Sequence, residues 1–325
     1  MRRALSVSDY LERPWVPRLL LFLVVTVAAS VIDLTDTLLG RALIPVIASM
    51  SGPEGGFIAR LNIGIVLGAM VVANVAIVRV LPFRAQIFVV WAELLALFLA
   101  FFYSFDLSFP FIFSRIGFLI FQGAVTTIYI SMISIVISCV LALGAALARL
   151  SSSAPAYGVA RFYISFFRGT PLLLQIYLIY LGLPQLGLIL DAVPSGVIAL
   201  SLNYGAYMAE VFRAGIQSIP AGQTEASLAL GMRKPLIMRK IILPQAMRVI
   251  VPPTGSQFIA MLKDSSLVSI MGVWELMFLA RTQGRAEFKI LEMLITAAII
   301  YWIISFVFEL IQARIEAYYG KSTRR

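Results

Sequence analysis

The chain has 325 residues, 61% of them apolar and 13% charged, and carries a net charge of +10. Its mean hydropathy of +0.95 is far above that of a soluble domain. With no histidine and a single cysteine, Cys139, it lacks the parts for Ser-His or Cys-His catalysis, HExxH zinc sites, thiolate metal clusters and disulfide frameworks.

Apolar runs of about 20 residues read as membrane-spanning helices. In chain order they are expected at roughly 15–36, 59–81, 85–104, 116–148, 160–183, 193–213, 246–269 and 290–315. The expected class is an all-α integral membrane protein with about eight transmembrane helices. The first run follows a basic start and resembles a signal peptide. The basic region is long, however, and no convincing cleavage site follows, so it reads as a span that is retained.

The first three runs hold few polar residues and no motif. Glu93 is a lone acid within "VVWAELLALFL", placed to pair with Asn74 or with a residue of the working domain. The character of the chain changes near "FLIFQGAVTTIYISMISIVIS", where polar and helix-breaking residues become frequent. This divides the chain into an N-terminal extension at 1–115, a working domain at 116–316 and a basic tail at 317–325.

Lys and Arg collect on the cytoplasmic side of membrane proteins. With Met1 inside, the cytoplasmic segments are 1–18, 79–84, 149–161, 213–248 and 314–325, and they hold 18 of the 26 basic residues. Both termini are therefore expected in the cytoplasm. Topology accounts for most of the positive charge, and nucleic-acid binding needs no separate argument. The tail "YGKSTRR" mimics the end of a phosphate-binding loop, but Ile315 stands where the first glycine is required and no strand precedes it.

The longest cytoplasmic loop, about 214–245, contains "QTEASLALGMRKPLIMRKIILPQ". Pro220 and Gly222 break the preceding span. Thr224 is placed to cap a short helix with Glu225 in its first turn, where an acid suits the positive helix end. Gly231 stands where a helix C′ residue is commonly glycine. Pro235 then opens a second helix, expected to stop at Pro244. A helical pair this short is not stable alone in water. Two readings follow: a knob presented to a soluble partner, or an amphipathic linker lying on lipid headgroups.

The stretch resembles the EAA signature of permease subunits of ATP-binding-cassette importers. That signature is Glu-Ala-Ala, three residues, Gly, nine residues, Ile, one residue, Leu-Pro. Here Glu225-Ala226-Ser227, Gly231, Ile241 and Leu243-Pro244 fit it, with Ser227 in place of the second alanine. Three further segments are similar to the branch of that family serving polar amino acids: "FFRGTPLLLQIYLIYLGLP", "LNYGAYMAEVFRAGIQSIPAGQTEA" and "MLKDSSLVSIMGVWEL". In the last, Ser265 replaces a threonine. The resemblance covers roughly 117–316. It implies a five-helix type I importer core preceded by three extra N-terminal helices, in the inner membrane of a bacterium. It implies no catalysis by the chain itself and no cofactor of its own, since ATP and Mg are used by a partner ATPase. The other implied partners are an extracytoplasmic amino-acid-binding protein and a second permease subunit, identical or homologous. The coupling residues implied are Gly222, Glu225, Ala226, Ser227, Gly231, Ile241, Leu243 and Pro244.

Ionisable groups within spans are costly, by about 3 kcal/mol or more at the centre, and so read as functional candidates. Arg168 sits beside Gly169, Thr170 and Pro171, which interrupt a helix; a broken helix with a cation suits a carboxylate. Alternatively, Arg168 snorkels or pairs with Glu210. Lys263 and Asp264 are adjacent, so on a helix they point about 100° apart and need separate partners; one or both line the translocation path or pair across a subunit interface. Ser265 follows them. Gln175, Asn203 and Tyr207 complete the expected path residues. Tyr204 is on the same segment, and Glu210 is expected to pair with Arg213 or a neighbouring loop. An ion-gradient-driven secondary transporter of small polar solutes shares the hydropathy and these charges but does not need the EAA loop. A membrane-embedded enzyme lacks a nucleophile or paired-carboxylate motif, and a non-transporting sensor on the same scaffold is separated by uptake.

Overall fold

A computed structural model describes residues 16–32, 57–103 and 107–320, and every regular element in them is helical. The basic termini, with Arg2, Arg3, Arg13, Lys321, Arg324 and Arg325, lie outside the described residues. The chain divides into two compact units, Met1–Leu107 and Ser108–Arg325.

Unit 1 contains α1 (Val16–Val31), α2 (Phe57–Val78) and α3 (Phe83–Tyr103). α1 and α2 pack through small residues. The sequence Gly64-Ile65-Val66-Leu67-Gly68 puts two glycines on one face of α2. A Cβ on Gly64 would lie 2.5 Å from the Thr26 carbonyl oxygen, and one on Gly68 would lie 2.7 Å from Thr26 Oγ1. Thr26 Oγ1 donates to the Gly64 carbonyl at 3.2 Å, and Ser30 Oγ to the Thr26 carbonyl at 2.6 Å. This is the small-residue packing that lets helices associate in lipid, where burial of apolar surface supplies no drive. The expectation that these spans carry no motif is thereby corrected. The expected partnership of Glu93 is present, with Asn74 Nδ2 donating to Glu93 Oε1 at 2.7 Å.

Unit 2 begins with α4 (Phe109–Arg149), which contains a π-helical turn at Leu119–Ala124. It starts earlier than expected because Phe111, Ile112 and Ile116 pack on a cluster containing Leu119, Leu276, Met293 and Ala297. The units accordingly divide eight residues before the boundary expected at 115/116. α5 (Ala154–Gly169) and a continuation, α6 (Leu172–Tyr177) extended by turns to Leu186, meet at a 108° bend. α7 (Ala192–Gln217) is the central helix. Ser138 Oγ on α4 donates to the Ser201 carbonyl at 3.2 Å, and Tyr163 on α5 donates to the Leu202 carbonyl at 2.8 Å.

α8 (Ala221–Ala229) and α9 (Lys234–Ile237) form the hairpin. α10 (Leu243–Asp264) follows, then a 3-10 turn, Ser265–Met271, then α11 (Leu276–Ala286) and α12 (Ile290–Gly320). Pro252 and Pro253 lie inside α10. Without N–H groups, Pro252 and Pro253 cannot donate to the Arg248 and Val249 carbonyls, and Gln312 Nε2 of α12 donates to the Pro252 carbonyl at 3.2 Å.

Four helices among the described residues are long and apolar enough to cross a membrane: Phe57–Val78, Phe83–Ala100, Phe109–Arg149 and Ile290–Tyr319. The bent α5–α6 pair makes a fifth. The other three expected spans coincide with α1, α7 and α10. The described part of α1 has 16 residues, about 24 Å at 1.5 Å per residue. α7 and α10 have the length but carry the polar residues that unit 2 holds in its interior.

Candidate functional site

The hairpin is built by local signals. α8 begins at Ala221 after Pro220, so Thr224 lies inside the helix rather than capping it, and Glu225 sits in its second turn. Gly231 has φ +75°, as expected for a C′ glycine. Gly231 N donates to the Leu228 carbonyl at 2.9 Å and Met232 N to the Ser227 carbonyl at 3.1 Å, closing the helix end. The second helix does not stop at Pro244. A π-helical turn, Met238–Ile242, carries α9 directly into α10, with Pro244 in the first turn of α10, where its missing N–H is no loss. Ile241 and Leu243 are half-buried at this junction, and Ile237 and Ile242 are buried.

Ser227 is buried and donates to the Gln223 carbonyl at 2.7 Å, which explains why a small polar residue serves there. Gly222, Glu225 and Ala226 are exposed, as are Arg233, Lys234, Arg239 and Lys240. Leu230 is 82% exposed. The hairpin thus presents one acid, a small-residue face and a rim of cations, joined rigidly to α7 and α10.

The second group of expected residues meets around the bend between α5 and α6. Gln175 and Asn203 are buried. Gln175 Nε2 donates to the Phe167 carbonyl at 2.9 Å and to Thr170 Oγ1 at 2.8 Å, while Asn203 Nδ2 donates to Gln175 Oε1 at 3.2 Å and to the Phe167 carbonyl at 3.1 Å. These amides replace the backbone bonds lost at Gly169, Thr170 and Pro171. They fix the bend; their donors are occupied by it. Arg168, exposed at the end of α5, lies with Cζ 5.2 Å from the Tyr207 ring centroid. It does not pair with Glu210. That carboxylate takes Arg213, at 2.9 Å from Nε and 2.6 Å from NH2, and lies 4.0 Å from Arg149.

Lys263 and Asp264 diverge as their spacing requires. Asp264 accepts from Tyr204 of α7 at 2.7 Å. Lys263 lines a cavity of about 360 Å³ between α10 and α12, with Ser256, Glu309, Gln312 and Glu316. Ser265 is buried, and its hydroxyl donates to the Leu262 carbonyl at 2.8 Å.

Sequence reasoning passed over several polar groups. Glu309, Gln312 and Glu316 share one face of α12, a helical spacing that was available. Glu275 is fully buried. Its side chain accepts from Met277 N at 2.9 Å, Phe278 N at 2.6 Å and Tyr301 Oη at 2.7 Å, capping α11. The signal was an acid directly before the apolar start of a helix. Leu276 N meets Thr127 Oγ1 of α4 at 3.2 Å, so the cap ties α4, α11 and α12 together.

Comparison with known proteins bears on the whole arrangement. The family model described as "Binding-protein-dependent transport system inner membrane component" matches residues 138–319. The L-cystine transport system permease protein TcyB of Bacillus subtilis is 44% identical over 195 residues, 60% of this chain and 83% of that protein. The arginine transport system permease protein ArtQ of the same organism is 38% identical over 198 residues, 61% of this chain and 90% of that one. A solved structure described as an amino acid ABC transporter with histidines superposes with TM-score 0.61 at 36% identity, covering 65% of this chain and 99% of that one. The MetNI methionine ABC transporter, at TM-score 0.56 and 19% identity over 66% of this chain and 99% of that one, shares the fold. With more than half its length matched, this chain belongs to the family of inner membrane components of binding-protein-dependent transport systems.

Proposed function

We propose that the chain is the permease subunit of an ATP-driven importer for a polar amino acid. Its relatives are named as permeases for cystine, arginine and glutamine. The observation that carries the coupling is the exposed hairpin Ala221–Ile242, shaped by the positive φ of Gly231 and continuous with α10. Two copies of a partner ATPase dock there and use ATP and Mg. Their closure is passed to α7 and α10, which leave the hairpin at either end. A binding protein delivers the solute on the opposite face, and a second permease subunit, identical or homologous, encloses the path. The termini and the hairpin face the cytoplasm.

Within the path, Arg168, Tyr207, Lys263 and Asp264 are among the groups that meet the solute. Gln175, Asn203 and Ser265 act through the shape they hold. Glu225→Arg reverses the charge at the centre of the docking surface without touching a buried contact. The variant is expected to insert normally and to lose substrate-stimulated ATPase activity and uptake in the assembled complex. Full stimulation and uptake in Glu225→Arg would overturn the docking assignment.

A further inference from the structure

We propose that a cavity bounded by α6, the Ser265–Met271 turn and α11 binds a carboxylate of the transported solute, with Arg281 as its principal donor. This rests on the permease reading above and specifies the chemistry of one site within it. The cavity holds about 350 Å³, a volume within the range of small-molecule sites. Arg281 and Arg285 project from successive turns of α11, and Tyr177, Ser269 and Thr282 add hydroxyls, with Phe278 as an apolar wall. Arg281 is half-buried and Arg285 is exposed.

Two guanidinium groups facing one cavity repel each other unless an anion lies between them. Among the described residues neither has a hydrogen bond or ion pair. Glu275 attracts Arg281 electrostatically without forming an ion pair with it, and its oxygens are hydrogen-bonded elsewhere. Glu275, six residues before Arg281, uses both oxygens on Met277 N, Phe278 N and Tyr301 Oη. Glu287 lies 3.7 Å from Arg115. The planar fork of an arginine matches the two oxygens of a carboxylate, and the pairing gains strength away from bulk water.

The cavity is lined from the same elements that carry several path residues. Tyr177 follows Gln175 by two positions on the bent pair, and Ser269 follows Asp264 within the turn that ends α10. α10 has 22 residues, about 33 Å of helix, and separates the cavity from the hairpin. In the proposed orientation this is the end at which solute arrives. The headgroup of an anionic lipid is the other anion within reach of a membrane protein, and the experiment separates the two.

Uptake of a radiolabelled mixture of L-amino acids by cells carrying the intact system identifies the solute. Absence of uptake overturns the permease reading and this site with it. Equilibrium binding of that amino acid is then measured on the purified permease–ATPase complex, without binding protein, in nanodiscs of phosphatidylcholine alone and in nanodiscs containing phosphatidylglycerol. Arg281→Ala is expected to weaken binding about tenfold or more in both lipids, and Arg281→Lys to recover part of it. The amine formed by removing the α-carboxylate from the same amino acid is expected not to compete on the native complex, a readout that needs no variant. Unchanged affinity in Arg281→Ala overturns the site while uptake still upholds the permease reading. So does a loss seen only with phosphatidylglycerol present, which identifies a lipid site, and so does full competition by the amine.

Discussion

The two units hold their helices together by different means. In unit 1, α1 and α2 meet at glycines, and none of residues 83–100, the part of α3 whose side chains are described, is buried. An amide–carboxylate contact, Asn74–Glu93, joins α2 to α3. In unit 2, serines, amides, a tyrosine–aspartate pair and a buried carboxylate run through the interior, and helices are bent, widened into π turns or broken. The contrast follows from solvent physics. A scaffold in lipid needs only close packing. A path for a polar solute needs polar groups and irregular backbone at membrane depth, and both are tolerated only where protein satisfies them.

The largest effect separating these strategies is expected at Glu275. Replacing it with Leu leaves two backbone N–H groups and the Tyr301 hydroxyl without their acceptor in a fully buried site. Each unsatisfied group costs about 1–3 kcal/mol. Glu275→Leu should therefore fail to give a monodisperse complex in detergent, while Glu275→Gln, which keeps the volume and one oxygen, should be recovered with a lowered melting temperature. Native-like melting of the Leu variant would show that the buried carboxylate does not hold α4, α11 and α12 together.

A smaller effect is expected in unit 1. A side chain at Gly64 meets the Thr26 backbone oxygen at 2.5 Å, so α1 and α2 must separate. Gly64→Leu should destabilise this pair by about 1–3 kcal/mol, the usual cost of overpacking. Hydrogen exchange should rise in α1 and α2 and stay unchanged in α7. Unchanged exchange in α1 and α2 would mean that the glycine contact does not hold the pair.

These sites also mark what was legible in the sequence. Gly231 could be placed because a left-handed residue after a helix leaves a local signature. The divergence of Lys263 and Asp264 followed from helical spacing alone. Pro244 misled because a proline that ends one helix and a proline that opens the next look alike in sequence; the intervening π turn decides, and it has no local signature. Gly64 and Gly68 were legible as a small-xxx-small pair and were passed over in a stretch that looked featureless. Gln175 and Asn203 were identified as polar groups within spans, but their commitment to the bend depends on contacts between residues 28 positions apart. Glu275 lay outside every expected span, so its charge looked ordinary until Thr127 and Tyr301 were found around it.

The smallest effect concerns Asn74 and Glu93. Interhelical polar contacts in bilayers average about 0.6 kcal/mol, because alternative partners exist in the unfolded state. The order of the variants is more informative than the size. Asn74→Leu leaves a carboxylate without its donor on a helix none of whose residues 83–100 is buried. Glu93→Leu removes the carboxylate and leaves only a neutral amide. The first should therefore cost more than the second, and the double variant should melt close to the native protein. If Glu93→Leu proves the more damaging of the two, and the double variant is no better, then Glu93 has a second partner outside unit 1. In that case α3 is not a lipid-facing helix held by one polar contact, and the contrast between the two units narrows at that helix.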